Sequence, residues 1–184
     1  MFRGDFMKYA AAYAPYLALL LLAQFAAEVT MHSYMQLLLI CIPCLLLYIG
    51  CSIAVPFYAY SLVKKSYAQN EQLPIVSFTI FLFVFASLII SLVQYVFYAY
   101  ISPDYIDTLY QNILENIQIT AKVYPDIAAN FQQIADTIVL PTPLQLATNS
   151  IANNGFVGAI LGLIYLLIIR FKQKKNNTQS WIYQ

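Results

Sequence analysis

Long apolar runs alternate with short polar breaks along the chain, and from Ile75 to Tyr100 no residue is charged. At a rise of ~1.5 Å per residue, a helix of that length exceeds the ~30 Å hydrocarbon core of a bilayer. Its end is crowded with rings, Tyr95, Phe97, Tyr98 and Tyr100, where the aromatic belt of a membrane interface belongs. Ser102-Pro103-Asp104 then offers a helix N-cap, a first-turn proline and an acid favoured by the helix dipole. The pattern predicts a chain that leaves the bilayer here and at once begins a helix in water.

Two runs precede it. Tyr9 to Ala27 follows Arg3 and Lys8 and has the basic front and apolar middle of a secretory signal. The apolar part is longer than a signal core, however, and Ala23-Gln24-Phe25-Ala26-Ala27-Glu28 has no clean small-x-small cleavage site, so a retained anchor is expected. Pro15 lies near its middle, and Tyr9, Tyr13 and Tyr16 share one face. A polar break from Glu28 to Ser33 leads to the run Tyr34 to Val63, which would reach about 45 Å as a straight helix. Tilt or protrusion must absorb the excess, and kinks are expected at Pro43 and Pro56. Lys64 and Lys65 close it, and Ser66 to Pro74 returns the chain to the Ile75 run.

Ile101 to Pro143 is the one long polar section. Ile106, Leu109, Tyr110, Ile113 and Ile117 recur at helical spacing, as do Ile127, Phe131, Ile134, Ala135 and Ile138 after Pro125. Two amphipathic helices in a hairpin are predicted, with lysine represented on their polar faces by Lys122 alone, which does not suit attraction to anionic lipid. Beyond Pro141-Thr142-Pro143, only Phe156 to Ile169 is continuously apolar, so the last helix must reach back through Leu144 to Gly155 to span. Gln145, Asn149 and Asn153 would share one face of that half and are expected to point inward, because bare amides in lipid are costly. Gly155, Gly158 and Gly162 allow a neighbouring helix to come close.

Composition agrees: 61% of residues are hydrophobic and 9% charged, against roughly a quarter charged in a soluble domain. The fold expected is all-α, a single polytopic membrane domain over 1–184, with spans at about 9–27, 35–63, 75–100 and 144–169 and an outer helical segment at 101–143. The net charge of +1 changes little, and no basic field for nucleic acid exists. The distribution of charge matters more. With four spans, Arg3, Lys8, Lys64, Lys65, Arg170, Lys172, Lys174 and Lys175 all fall on one side, leaving Lys122 opposite. Glu28, Asp104, Asp107, Glu115, Asp126 and Asp136 fall on the other. The positive-inside rule then predicts cytoplasmic termini and an extracytoplasmic 101–143 segment.

With that topology, the run from Tyr95 through Ser102-Pro103-Asp104 to Asp107, the helical outer loop, and the glycines and basic end of Gly155 to Lys175 resemble a family of four-span inner-membrane proteins typical of Bacteroidetes, catalogued as a domain of unknown function. The resemblance covers most of the chain. It implies the topology and a Gram-negative source, and it implies no active-site residues.

Candidate chemistry is sparse. Cys41-Ile42-Pro43-Cys44 could cycle between dithiol and disulfide, and four-span quinone-linked thiol oxidases of the bacterial envelope have such a pair in a comparable place. Those enzymes also use a second cysteine pair in the outer loop, and 101–143 contains no cysteine; a basic residue follows their first pair, where this chain reads Leu45-Leu46-Leu47-Tyr48. Cys41, Cys44 and Cys51 are better read as small apolar residues of a buried helix. None of the four runs holds Asp, Glu, Lys or Arg, the usual marks of proton or ion coupling. The stripe Gln145, Asn149, Asn153, with Gln94, would bind a small polar solute, but hydrogen bonding between helices accounts for it more simply. His32 stands without companion metal ligands and reads as a surface residue. The 16 tyrosines and 12 phenylalanines gather largely where spans meet water, as belt anchors do.

The sequence therefore predicts a non-enzymatic structural or interaction protein of the bacterial inner membrane, with no catalytic, cofactor-binding or metal residues. Its partners would be the lipid bilayer and, through the outer helices, an envelope protein or a second copy of the chain. The alternatives are a thiol-disulfide oxidoreductase using Cys41 and Cys44 and a small-solute carrier.

Overall fold

A computed structural model describes residues 5–34, 37–69, 73–123 and 140–182. Among these the chain is helical, without strands: α1 Asp5–Ser33, α2 Leu38–Gln69, α3 Ile75–Val96, a π-helical turn Phe97–Ile101, α4 Tyr105–Val123 and α5 Pro143–Ile182. Four stretches are long and apolar enough to cross a membrane: Phe6–Ser33, Leu39–Gln69, Ile75–Ile101 and Pro143–Gln173. The second helix expected in the outer segment, Pro125 to Ile138, lies outside the described residues.

The helices run longer than the apolar patterning foretells. The polar stretch from Glu28 to Ser33 belongs to α1. Its side chains explain this: Thr30 Oγ1 donates to the Ala26 carbonyl at 2.7 Å, and His32 Nδ1 lies 3.0 Å from the Glu28 carbonyl oxygen, to which it donates in its Nδ1–H tautomer. These polar side chains satisfy themselves on the helix's own carbonyls and so sit within α1 without interrupting it. Pro15 lies within α1, and Pro43 and Pro56 within α2, and each helix continues through them.

The chain divides into two compact units, Met1–Ser91 with Asn149–Gln184, and Leu92–Thr148. In the first unit α1 and α2 pack as an antiparallel hairpin, with Gln24 Nε2 donating to Ser52 Oγ at 3.2 Å. Ala10, Ala14, Leu17 and Ala18 of α1 and Val55, Ala59, Leu62 and Val63 of α2 are buried in one core. Alanines at this seam let the backbones approach, and in lipid, where apolar burial offers little gain, close dispersion contact is what holds helices together. Tyr9 and Tyr16, by contrast, remain exposed on the other side of α1.

The core continues along α3 through Phe78, Leu82, Phe83 and Ala86. Against this face lie the glycines of α5, in antiparallel register. A Cβ at Gly155 would stand 3.3 Å from Val84 Cγ2, one at Gly158 3.0 Å from Phe83 Cβ and 3.1 Å from the Thr79 carbonyl, and one at Gly162 3.0 Å from Val76 Cα. Two of these neighbours are main-chain atoms, so the approach requires glycine at 158 and 162. The opposite faces of the helices are apolar and exposed, as at Leu39, Phe57, Leu163 and Phe171, a surface suited to acyl chains.

Candidate functional site

Three places hold the residues singled out in the sequence: the start of α2, the first half of α5, and the junction leading into α4.

At the first, Cys41 and Cys44 are free and half-buried, and Cys51 is free and buried. The Cys41 thiol donates to the Tyr34 carbonyl at 3.2 Å, and the same carbonyl accepts the Leu37 N–H at 2.8 Å. Cys41 thus ties the start of α2 to the carbonyl that follows α1. Residues three apart on a helix have Cβ atoms about 5–6 Å apart, whereas a disulfide needs about 3.5–4.5 Å. In a regular helix, joining Cys41 to Cys44 therefore requires the turn between them, the second of α2, to distort.

At the second, the expected inward stripe is not found: Gln145, Asn149 and Asn153 are all exposed. The reason lies in the glycines. Backbone contact fixes the Gly158 and Gly162 face against α3, and at 100° per residue Asn149 and Asn153 fall on the opposite side of α5. Gln145 has a separate task. Its Oε1 accepts the Thr142 N–H at 2.8 Å while Thr142 Oγ1 accepts the Gln145 N–H at 3.2 Å, a reciprocal capping box around Pro143. The sequence signal Thr-Pro-Leu-Gln was there to be read as a helix start.

The third place lies in the second unit. The aromatic end of the third span widens into the π-helical turn Phe97–Ile101, closed where the Ser102 N–H donates to the Phe97 carbonyl. The extra residue per turn brings Phe97, Tyr98 and Tyr105 into mutual contact, with centroid separations of 5.5, 5.5 and 5.8 Å. Tyr105 is buried there. Ser102 serves through its main chain, its carbonyl accepting the Tyr105 N–H at 3.1 Å, and the Asp104 carbonyl accepts both the N–H and the hydroxyl of Thr108. Along α4, Ile106, Leu109, Tyr110 and Ile117 are half-buried, and Ile113, on the same stripe, is 48% exposed.

Some contacts were not foreseen. In the first unit the Tyr165 hydroxyl donates to the Pro56 carbonyl, Lys172 Nζ donates to the Tyr60 hydroxyl at 3.3 Å, and Gln173 Nε2 donates to the Tyr67 hydroxyl at 3.1 Å. These contacts run in the same chain direction, so α2 and α5 are parallel, and the C-terminal end of α2 meets α5 at Gln173. Since α1 is antiparallel to α2, Lys8, Lys64, Lys65, Arg170 and Lys172 share one end of this unit. The hydroxyls of Ser66 and Ser87 are buried without a hydrogen-bond partner among the described residues. Also among the described residues, no three His, Cys, Asp or Glu side chains gather as metal ligands would.

Four span-capable helices with exposed apolar faces define an integral membrane protein. The chain belongs to a family of unknown function, DUF4199, whose profile matches residues 8–171. No curated protein and no solved structure matches the chain.

Proposed function

We propose that this is a non-enzymatic interaction protein of the bacterial cytoplasmic membrane. Both termini face the cytoplasm, and residues 101–143 form an outer helical hairpin that docks an envelope protein. The observation behind this reading is the unfinished burial of α4: its apolar stripe leaves Ile113 exposed in a helix whose other faces bear Asp107, Glu115 and several amides. An apolar stripe on a water-facing helix favours a protein surface that covers it.

The orientation rests on the positive-inside rule applied to the end that gathers Lys8, Lys64, Lys65, Arg170 and Lys172. The bacterial inner membrane as the host follows from the resemblance described above and from this charge bias.

Photo-cross-linking from position 113 in native membranes tests the reading. A discrete adduct is expected, lost on the double change Ile106→Asn and Leu109→Asn, while membrane insertion persists. An adduct unchanged by that double change overturns it. A cysteine placed at Glu115 in a cysteine-free background reports the side: labelling by an impermeant maleimide from the periplasm is expected, and labelling only after the inner membrane is opened reverses the orientation.

A further inference from the structure

We propose that a second copy of this chain pairs with the first through the outward face of α5, the two copies exchanging carboxamide hydrogen bonds through Asn149 and Asn153. This pairing does not depend on the role proposed for the outer hairpin.

The argument begins from depth. Arg170 and Lys172 hold the basic end of α5 at the membrane surface, and the ~30 Å hydrocarbon layer takes about 20 residues of helix. Counting back from Ile169 brings the layer to Ser150. Asn153 therefore lies within the apolar layer, and Asn149 lies at its edge. Both are exposed on the surface of this single chain, on the side of the helix away from the glycine contact with α3. Repacking within the chain does not bring them inside, because turning α5 would drive the larger outward side chains into the main-chain atoms at Val76 and Thr79 that leave room only for glycine.

Acyl chains neither donate nor accept hydrogen bonds, so an amide facing them keeps the full penalty of desolvation. What satisfies it must present donors and acceptors together at the same depth. A carboxamide has one acceptor oxygen and two N–H donors, so it is complementary to another carboxamide, and a two-fold axis places identical groups opposite each other. The surroundings suit such an approach. Ala152 lies beside Asn149 on the same face and is exposed, and its small side chain allows a facing helix to come near. Phe156 and Ile160 continue the face with apolar side chains that are 68% and 45% exposed, enough to pack against their own counterparts. Across the rest of the exposed apolar surface lipid is an adequate solvent, and at Asn153, inside the layer, it is not, while Asn149 at the edge extends the same amide face.

The test uses the full chain in native membranes, with Cys41, Cys44 and Cys51 replaced by alanine. Single cysteines at Ala152 and Phe156 are compared with one at Leu46, an exposed apolar position on α2. On mild oxidation, a band at twice the chain mass is expected from positions 152 and 156 at least tenfold stronger than from 46. The changes Asn149→Leu and Asn153→Leu together should lower the band at least tenfold; both replace exposed amides by lipid-compatible side chains, so insertion is retained. Subunit counting of the unmodified protein at high dilution in vesicles should give pairs, and single copies for the double leucine form. Equal bands from the three positions, an undiminished band in the double leucine form, or unmodified protein counted as single copies overturns the inference. So does an adduct at 152 and 156 whose partner is a different protein.

Discussion

The hydroxyl of Tyr165 donates to the main-chain carbonyl of Pro56 at 2.6 Å, joining the last helix to the second across 109 positions of sequence. The ring is buried and lies 5.4 Å from that of Tyr60. Polar tip and apolar body therefore act together. Tyr165→Phe should lower resistance to unfolding in mixed micelles by about 1 kcal/mol, the usual net worth of one such bond. Tyr165→Ala, which also removes the ring contact, should cost about 3–5 kcal/mol. Equal losses for the two would mean that the hydroxyl carries the whole effect.

The glycines offer a sharper contrast. Gly158→Ala places a Cβ 3.1 Å from a carbonyl oxygen that belongs to a helix, so α3 and α5 must move apart. Overpacking of this kind costs about 1–3 kcal/mol, and Gly162→Ala should behave alike. Gly50 has nothing within 4 Å, so Gly50→Ala should stabilise α2 by up to about 1 kcal/mol through helix propensity. The same unfolding assay checks all three, and the opposite signs are the point of the comparison.

At the start of α5, Thr142 and Gln145 cap each other. Thr142→Ala should cost about 1 kcal/mol and raise hydrogen exchange at the first turn of the helix. Thr142→Ser should restore both, because the oxygen is what matters.

The thiols separate by accessibility. In native membranes a permeant maleimide should modify Cys41 and Cys44, which are half-buried, and reach Cys51 only after denaturation. Mass analysis before and after reduction gives the count. Two further sites appearing on reduction would show Cys41 and Cys44 joined, and the oxidoreductase reading would then take precedence.

Much of the architecture was legible in the residue pattern because a bilayer imposes a single demand: each crossing needs about 20 apolar residues with internally satisfied backbone groups. The run Ile75 to Tyr100 and its aromatic end show it, as does the return of the chain through Leu144 to Gly155. Element ends were less legible. Thr30 and His32 lie within α1 and bond its own carbonyls, an arrangement of polar residues that hydropathy alone reads as a break. At the α4 junction, Ser102 works through its main chain: its N–H closes the π-helical turn and its carbonyl accepts the Tyr105 N–H.

The candidate sites divide in the same way. By itself, the sequence determined which residues a bilayer must accommodate: the small Gly158 and Gly162, the amides Asn149 and Asn153, the thiols, and the basic ends. Only the tertiary structure decided what each of them faces. Helical periodicity places residues on a common face but does not say which face meets a neighbour. That choice is made by contact: glycine admits the main chain of α3 on one side of α5, and the amides are thereby carried to the other.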